Sequence, residues 1–203
     1  RAGDPSGTAA IFAYFEGVVP PPFTLFDAIK AGALTPYAYH VQRVSLEADE
    51  QERWNKLTHE IRKQFAQAQA AKTSSPDTEL RLKQLLIRRA RIVKSARQKV
   101  AAAVSVVTGA YRRGQHWIVY CVVQVQLAEV RDALRAAGCT DVLEYHTAMT
   151  GDPRRTLDLF EAHGGVVVSI RCLDEGVDIP AVSHALILAS SKNPREYVQR
   201  RGR

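Results

Sequence analysis

The C-terminal half of the chain alternates strand-like and helix-like segments, and this alternation limits the fold more than any other feature of the sequence. Apolar runs typical of buried strands occur in "HWIVYCVV", "DVLEY", "VVVSIRCL" and "HALILA". Helical patterns separate them: "QLAEVRDALRAAG" ends at Gly138, and "DPRRTLDLFEAHGG" has Asp152 as its N-cap and Pro153 at its first position. Repeated strand–helix units predict an α/β fold in which helices cover both faces of a parallel sheet.

The last segment, "NPREYVQRRGR", is predicted to open one more helix. Asn193 is its N-cap, Pro194 is its first residue, and Glu196 completes a capping box. Ligands of such sheets bind beyond the carboxyl ends of the strands, so the loops after the predicted strands are the place to look for function.

Residues 1–46 are predicted to form short elements. "TAAIFAYFEG" is a short helix closed by Gly17, and Thr24 caps "LFDAIKAG", which ends at Gly32. "YAYHVQRVSL" alternates apolar and polar residues and predicts a strand.

Residues 47–108 have a different, helical pattern. Trp54, Leu57, Ile61 and Phe65 recur at helical spacing, and "KTSSPD" ends that helix. A second apolar stripe follows, made of Leu82, Leu85, Leu86, Ile92, Val93, Val100 and Val104. Two amphipathic helices joined by a short turn predict an antiparallel hairpin.

Composition limits the class of protein. The 203 residues are 46% hydrophobic, enough for a core, and no apolar run approaches the roughly 20 residues of a membrane span. The net charge of +7 favours a polyanionic partner, although basic clusters such as "IRRARIVKSARQK" can equally be solvated helix faces.

The cysteines and histidines predict neither a disulfide framework nor a metal site. Cys121, Cys139 and Cys172 form no CxxC pair, and the six histidines have no ligand-like spacing. We expect core cysteines in a reducing, cytoplasmic compartment.

"DEGVDIP" places an acid pair, Asp174 and Glu175, at the end of a predicted strand. Such a pair could hold a metal ion in an ATPase, but that requires a phosphate-binding G-x-x-x-x-G-K-[ST] loop. The chain contains no Gly-Lys pair, so it holds no complete P-loop site. We expect the two acids to shape the loop instead.

"RCLDEGVDIP" followed by "QRRGR" resembles the last two motifs of superfamily 2 helicases and translocases. The first resembles motif V, G-x-D-I-P, and the second resembles motif VI, Q-R-x-G-R. "HWIVYCVVQVQLAEV" is similar to motif IV, and "YHTAMTGDPRRTLDLF" is similar to the segment before motif V. The N-terminal half is more loosely similar to bacterial restriction- and defence-type helicases and their Snf2-like relatives. The resemblance implies a RecA-like, P-loop-type sheet.

In this family, ATP lies between two RecA-like domains, and the resemblance gives the chain one side of that cleft. Gly176 would let the backbone approach the nucleotide, and Asp178 would bind the ribose hydroxyls. Arg203 would act as an arginine finger on the γ-phosphate, with Gln199 on the same helix face and Arg200 supporting the cleft. The P-loop and the acid that holds Mg²⁺ would belong to the first domain. The family pattern has a second motif VI arginine, which would stand three residues after Arg203.

Three residues are expected to contact nucleic acid. His146 and Thr147 match a loop that usually faces the nucleic-acid backbone, although a structural role is an alternative. Many superfamily 2 proteins have Thr-Asp where this chain has Ile170-Arg171. Arg171 either replaces the lost phosphate contact or pairs with Asp174.

The sequence therefore predicts the second RecA-like domain of a superfamily 2 DNA helicase or translocase. Residues 1–46 are its leading segment, 47–108 a helical hairpin insertion, and 109–203 the core with motifs IV, V and VI. Expected partners are DNA, with RNA possible, and the first RecA-like domain, but no membrane. A non-enzymatic basic nucleic-acid-binding module is the alternative. A second alternative is an unrelated doubly wound enzyme that binds metal through Asp174 and Glu175.

Overall fold

The computed structural model describes residues 5–17, 21, 23–32, 35–70, 76–170 and 182–188. The helices are α1 Pro5–Phe15, α2 Leu25–Lys30, α3 Ala48–Ala70, α4 Pro76–Lys94, α5 Gln98–Ala110, α6 Gln124–Ala136 and α7 Pro153–His163. The strands are β1 His116–Cys121, β2 Val142–Tyr145, β3 Gly165–Ile170 and β4 His184–Ile187.

The four strands form one parallel sheet in the order β2-β3-β1-β4. Ile118 of β1 lies opposite Val167 of β3 on one side and Ala185 of β4 on the other. The two central strands are almost completely buried, whereas β4 is half-buried to exposed. Continuous apolar runs of this kind are expected where helices cover both faces of a parallel sheet.

Helices cover both faces of the sheet, so the predicted fold class is confirmed. On one face α5 and α6 pack against alternate strand residues, including Trp117, Val119, Val166 and Val168. On the other face Phe160 of α7 packs against Ile118, Tyr120 and Val167. The predicted start of α7 is also confirmed, because Asp152 Oδ1 accepts a hydrogen bond from Arg154 N at 2.9 Å and Pro153 is the first helical residue.

Helices α3 and α4 pack against each other as the predicted antiparallel hairpin. Ile61 and Leu85 are buried in it, and the Arg89 guanidinium lies 5.5 Å from the centre of the Trp54 ring. The predicted apolar stripes are only partly correct. Three of their side chains are largely exposed at the surface: Phe65, Leu86 and Val93.

The second helix of the hairpin is interrupted, contrary to the continuous stripe that the sequence suggested. Residues 95–97 separate α4 from α5, and Val100 and Val104 pack against the sheet core instead of α3. The interruption coincides with a contact from a residue that is distant in the sequence. The Arg97 N–H donates to Glu50 Oε1 at 3.0 Å, so it is not used in a continuous helical ladder.

Glu50 joins the starts of two helices. Its buried carboxylate accepts from Glu47 N, just before α3, at 3.0 Å and from Arg97 N, just before α5, at 3.0 Å. The Arg97 side chain returns to the same place and contacts Glu47 and Asp49. Its hydrogen bond holds the pKa of the Asp49 carboxyl below the ordinary value.

The N-terminal helices lie where the sequence placed them. Gly17 follows α1 with φ of +112°, and Thr24 caps α2 in a capping box with Asp27. The predicted strand "YAYHVQRVSL" is wrong, since residues 35–47 have no strand and pair with none of the four described strands. Its alternating side chains Tyr37, Tyr39 and Val41 are exposed, so no core face fixes them in a sheet.

None of the described helices is long and apolar enough to cross a membrane.

Candidate functional site

The carboxyl ends of all four strands meet at one edge of the sheet. They end at Cys121, Tyr145, Ile170 and Ile187. In open α/β sheets this edge is where ligands bind, because strand-to-helix loops and helix N-termini converge there. It is the candidate functional edge of this chain.

Most of the predicted site residues lie outside the described residues. Motif V begins directly after Ile170, the end of β3, and includes Arg171, Gly176 and Asp178. The motif VI residues, Gln199, Arg200 and Arg203, also lie outside the described range, as do Asp174, Glu175 and the predicted last helix. Their roles stay predictions.

His146 and Thr147 follow β2 at the functional edge and differ in exposure. His146 is buried, and its ring Nδ1 accepts a hydrogen bond from Ala148 N at 3.2 Å. Its backbone oxygen accepts from Met149 N at 3.2 Å. The ring therefore holds the turn that follows β2, while the Thr147 side chain faces solvent. This turn presents Thr147 at the edge, and nucleic-acid contact by either residue stays a prediction.

Gln126 connects the edge to the base of the hairpin, a role that sequence reasoning missed. The side chain is buried. Its Oε1 accepts from Val122 N, just beyond β1, at 3.1 Å, and its Nε2 donates to Lys94 O at 3.3 Å. One side chain therefore ties the end of β1 to the last residue of α4. No local sequence pattern indicates this link, because it joins Gln126 to a residue 32 positions away.

Cys121 ends β1 at the same edge but is chemically protected. Burial raises the pKa of its thiol to about 12, so almost no thiolate is present near neutral pH. The prediction of a core cysteine is confirmed for Cys121, and Cys139 packs half-buried against the same core. Cys172 lies outside the described residues. Across the described ranges, no group of three His, Cys, Asp or Glu could hold a metal ion.

The segment that contains the four strands matches a known protein family. Residues 98–203 match the model of the helicase conserved C-terminal domain. The chain belongs to this family. The resemblance to the C-terminal domain of superfamily 2 helicases is thus confirmed, and the alternative of an unrelated doubly wound enzyme is wrong. The match begins at Gln98, the first residue of α5, in agreement with the packing of α5 on the sheet core.

Two solved structures are similar to the chain. One is S. cerevisiae Dbp5 bound to Gle1 and IP6, at 23% identity over 52% of this chain and 28% of that chain, with a TM-score of 0.44. The other is the Pyrococcus furiosus Hef helicase domain, at 18% identity over 70% of this chain and 32% of that chain, with a TM-score of 0.43. The chain spans about a third of the length of these helicase structures. No curated protein matches it.

Proposed function

We propose that this helicase C-terminal domain is the second motor domain of an ATP-dependent superfamily 2 DNA helicase or translocase. Family membership supports a motor role, and the ordered motifs IV, V and VI support the position of the domain in the motor. The looser similarity of the N-terminal half favours a restriction- or defence-type or Snf2-like relative, acting in the cytoplasm.

The topology of the sheet is the observation that carries this proposal. Strands β3 and β4 lie on either side of β1 and end at the same edge. In the sequence, "DEGVDIP" follows β3, and "NPREYVQRRGR" follows β4. The two motif segments therefore follow strands that flank β1 and end at the same edge of the sheet, an arrangement that supports a shared nucleotide site.

In this proposal the residues of the two motifs have separate tasks. Gly176 and Asp178 bind the nucleotide, because a glycine admits close backbone approach and a carboxylate accepts from ribose hydroxyls. Arg203 neutralises charge that develops on the γ-phosphate, Gln199 lies on the same helical face, and Arg200 supports the cleft. ATP supplies the phosphoryl group, and Mg²⁺ is held by the first RecA-like domain.

In this proposal, residues at the same edge also bind nucleic acid. Thr147 and Arg171 contact the backbone of DNA, or of RNA, and His146 holds the turn that presents Thr147. A non-enzymatic basic nucleic-acid-binding module remains the second candidate, because the net charge of +7 favours a polyanion whether or not ATP is hydrolysed.

Hydrolysis assays with the isolated chain and with the whole protein separate the two candidates. The isolated 203-residue chain has no Gly-Lys phosphate loop, so we expect weak ATP binding and no turnover. The whole protein should hydrolyse ATP with Mg²⁺ and respond to nucleic acid. Magnesium-dependent hydrolysis by the isolated chain would refute the half-site, and a whole protein that binds DNA without hydrolysing ATP would support the binding module.

A further inference from the structure

The net positive charge of the chain arises from one continuous stretch of the sequence. Residues 80–128 contain ten lysines and arginines and no aspartate or glutamate, whereas the rest of the chain has 18 basic and 21 acidic residues. The net charge of +7 therefore comes entirely from this stretch, which begins within α4 and ends within α6. Segregation of this kind is the electrostatic footprint expected for a polyanionic partner.

Several cations of this stretch serve the fold. Arg89 lies over the Trp54 ring, and Arg97 contacts the acids at the start of α3. Lys99 is half-buried and donates to Lys94 O at 3.4 Å, and burial followed by the nearby Lys94 charge lowers its pKa. These side chains are engaged in contacts within the chain.

Four other cations lie exposed on α4: Arg81, Lys83, Arg88 and Arg91. None of the four forms an ion pair within the described ranges. Leu85 marks the buried side of the helix, where α4 packs on α3, and Arg81 and Arg88, one turn before and one turn after it, lie exposed beside that side. We define these four side chains as the α4 cationic face.

Helix α3 provides an internal comparison. It also has four basic residues, Arg53, Lys56, Arg62 and Lys63, but two of them are paired within the helix. Arg53 contacts Asp49 at 2.9 Å, and Lys56 contacts Glu52 at 2.8 Å. The first helix of the hairpin thus balances its charge, with four acids of its own, and the second does not.

The α4 cationic face adjoins the functional edge. Lys94, the last residue of α4, accepts the hydrogen bond of Gln126, whose other end is fixed to the backbone beyond β1. A polymer bound at the carboxyl edge of the sheet would therefore pass the C-terminal end of α4. This continuity favours the same polyanion at both places.

We propose that the α4 cationic face binds the sugar–phosphate backbone of a nucleic-acid duplex, without reading its sequence. The proposal rests on the proposed function for the identity of the polymer. Helix α4 has no aromatic residue on which unstacked bases could lie, which disfavours a single strand. A helix of 19 residues, about 28 Å long, is long enough to follow the regular phosphate rows of a duplex.

Binding titrations against salt test this surface in the intact 203-residue chain. A fluorescent 20-base-pair duplex and a single strand of equal length are the probes, without nucleotide. The α4 variant combines R81Q, K83Q, R88Q and R91Q. Its duplex affinity should fall about 10-fold or more, and its salt slope should decrease by about 3 to 4, roughly one for each lost phosphate contact.

The α3 variant, with R53Q, K56Q, R62Q and K63Q, is the matched control because it removes the same charge from the same hairpin. It should change duplex affinity less than about 3-fold. Circular dichroism checks that both variants are folded. Three results would overturn the proposal: equal losses of affinity in the two variants, an unchanged salt slope in the α4 variant, or no measurable duplex binding. The last two results would favour an acidic protein as the partner of the α4 cationic face.

The single-stranded probe tests whether the α4 cationic face prefers a duplex. The proposal expects the α4 variant to lose more affinity for the duplex than for the single strand, and equal losses would overturn it. Because these titrations contain no ATP, they do not depend on motif V or motif VI. A whole protein that fails to hydrolyse ATP, while the α4 effect holds, would contradict only the proposed function.

Discussion

Gly165 opens β3 with a φ of +126°, and this single residue lets the central strand start against its neighbour. A Cβ atom at this position would lie 2.6 Å from Asp141 O, closer than any side chain tolerates. The adjacent Val166 N donates to the same Asp141 O at 2.8 Å, so the contact belongs to the pairing of β2 and β3. Glycine is required here both by conformation and by space.

Gly165→Ala should therefore destabilise the domain by about 2 kcal/mol or more, because strain and steric overlap add. Urea unfolding followed by circular dichroism measures the change. Gly109→Ala is the matched control, since no atom lies within 4 Å of its added Cβ and the residue is inside α5. It should be neutral or stabilise by about 0.5–1 kcal/mol. Equal effects would contradict the close contact.

Cys121 should resist alkylation while the chain is folded. Burial raises its pKa to about 12, so only about one thiol in 10⁴ is ionised at pH 8. Cys139 is less buried and should react before it. Mass spectrometry of iodoacetamide-treated protein, with and without urea, gives the order. Faster labelling of Cys121 than of Cys139 in the folded chain would show that solvent reaches the C-terminal end of β1.

At the scale of elements, the hairpin depends on one face of α4. Leu85 is 7% exposed and packs against α3, whereas its neighbour Leu86 is 36% exposed. Leu85→Ala should lower the free energy of unfolding by about 2–5 kcal/mol. Leu86→Ala, the same change one residue along, should cost less than about 1 kcal/mol. Thermal or urea unfolding compares them, and similar losses would mean that α4 is rotated from this orientation.

Glu50 should stabilise two helix starts at once. Glu50→Ala removes the acceptor for the N–H groups of Glu47 and Arg97, and we expect a loss of about 2–4 kcal/mol for two unsatisfied donors. Glu50→Gln keeps one acceptor oxygen and should lose about half of that. Glu52→Ala is the control, because its pair with Lys56 is exposed and should contribute little to stability. If Glu50→Ala lowered the free energy of unfolding no more than the control does, the two hydrogen bonds that Glu50 accepts would not stabilise the helix starts.

How far the sequence predicted these elements depended on whether the cause was local. The caps at Thr24 and Asp152, and the strands with continuous apolar runs, follow from neighbouring residues and were predicted. The break between α4 and α5 was not, because its cause is a hydrogen bond from Arg97 to Glu50, 47 positions away. The false strand at 37–46 has the alternating pattern but pairs with none of the strands that the structure describes, and only the tertiary structure reveals this. For the same reason the link through Gln126 was missed.

At the scale of the whole molecule, the sheet edge, the hairpin base and the charge distribution are connected. The motif segments follow β3 and β4, which flank β1. The end of β1 is tied through Gln126 to α4, on which the unpaired cations lie. A nucleotide at the edge and a nucleic acid along α4 would thus act on adjoining parts of the chain. Motif order supports the nucleotide half of this account, and charge segregation supports the nucleic-acid half.

The motif V carboxylate should affect binding more than chemistry. Asp178 is proposed to hold the ribose in the ground state and the transition state alike. Asp178→Ala in the whole protein should therefore raise KM for ATP with a smaller loss of kcat. Steady-state ATPase measurements at saturating nucleic acid separate the two constants. A large loss of kcat at unchanged KM would assign this residue to the transition state instead.

The kcat of an Arg203 variant tests the central claim most directly, because an arginine finger acts on the transition state more than on bound ATP. In the whole protein, Arg203→Ala should reduce kcat by about 10³ or more. Nucleic-acid affinity without nucleotide should stay nearly unchanged. Arg203→Lys should not restore activity, because an ammonium group lacks the planar guanidinium fork. A near-normal kcat for Arg203→Ala would contradict the motif VI assignment and favour the binding module.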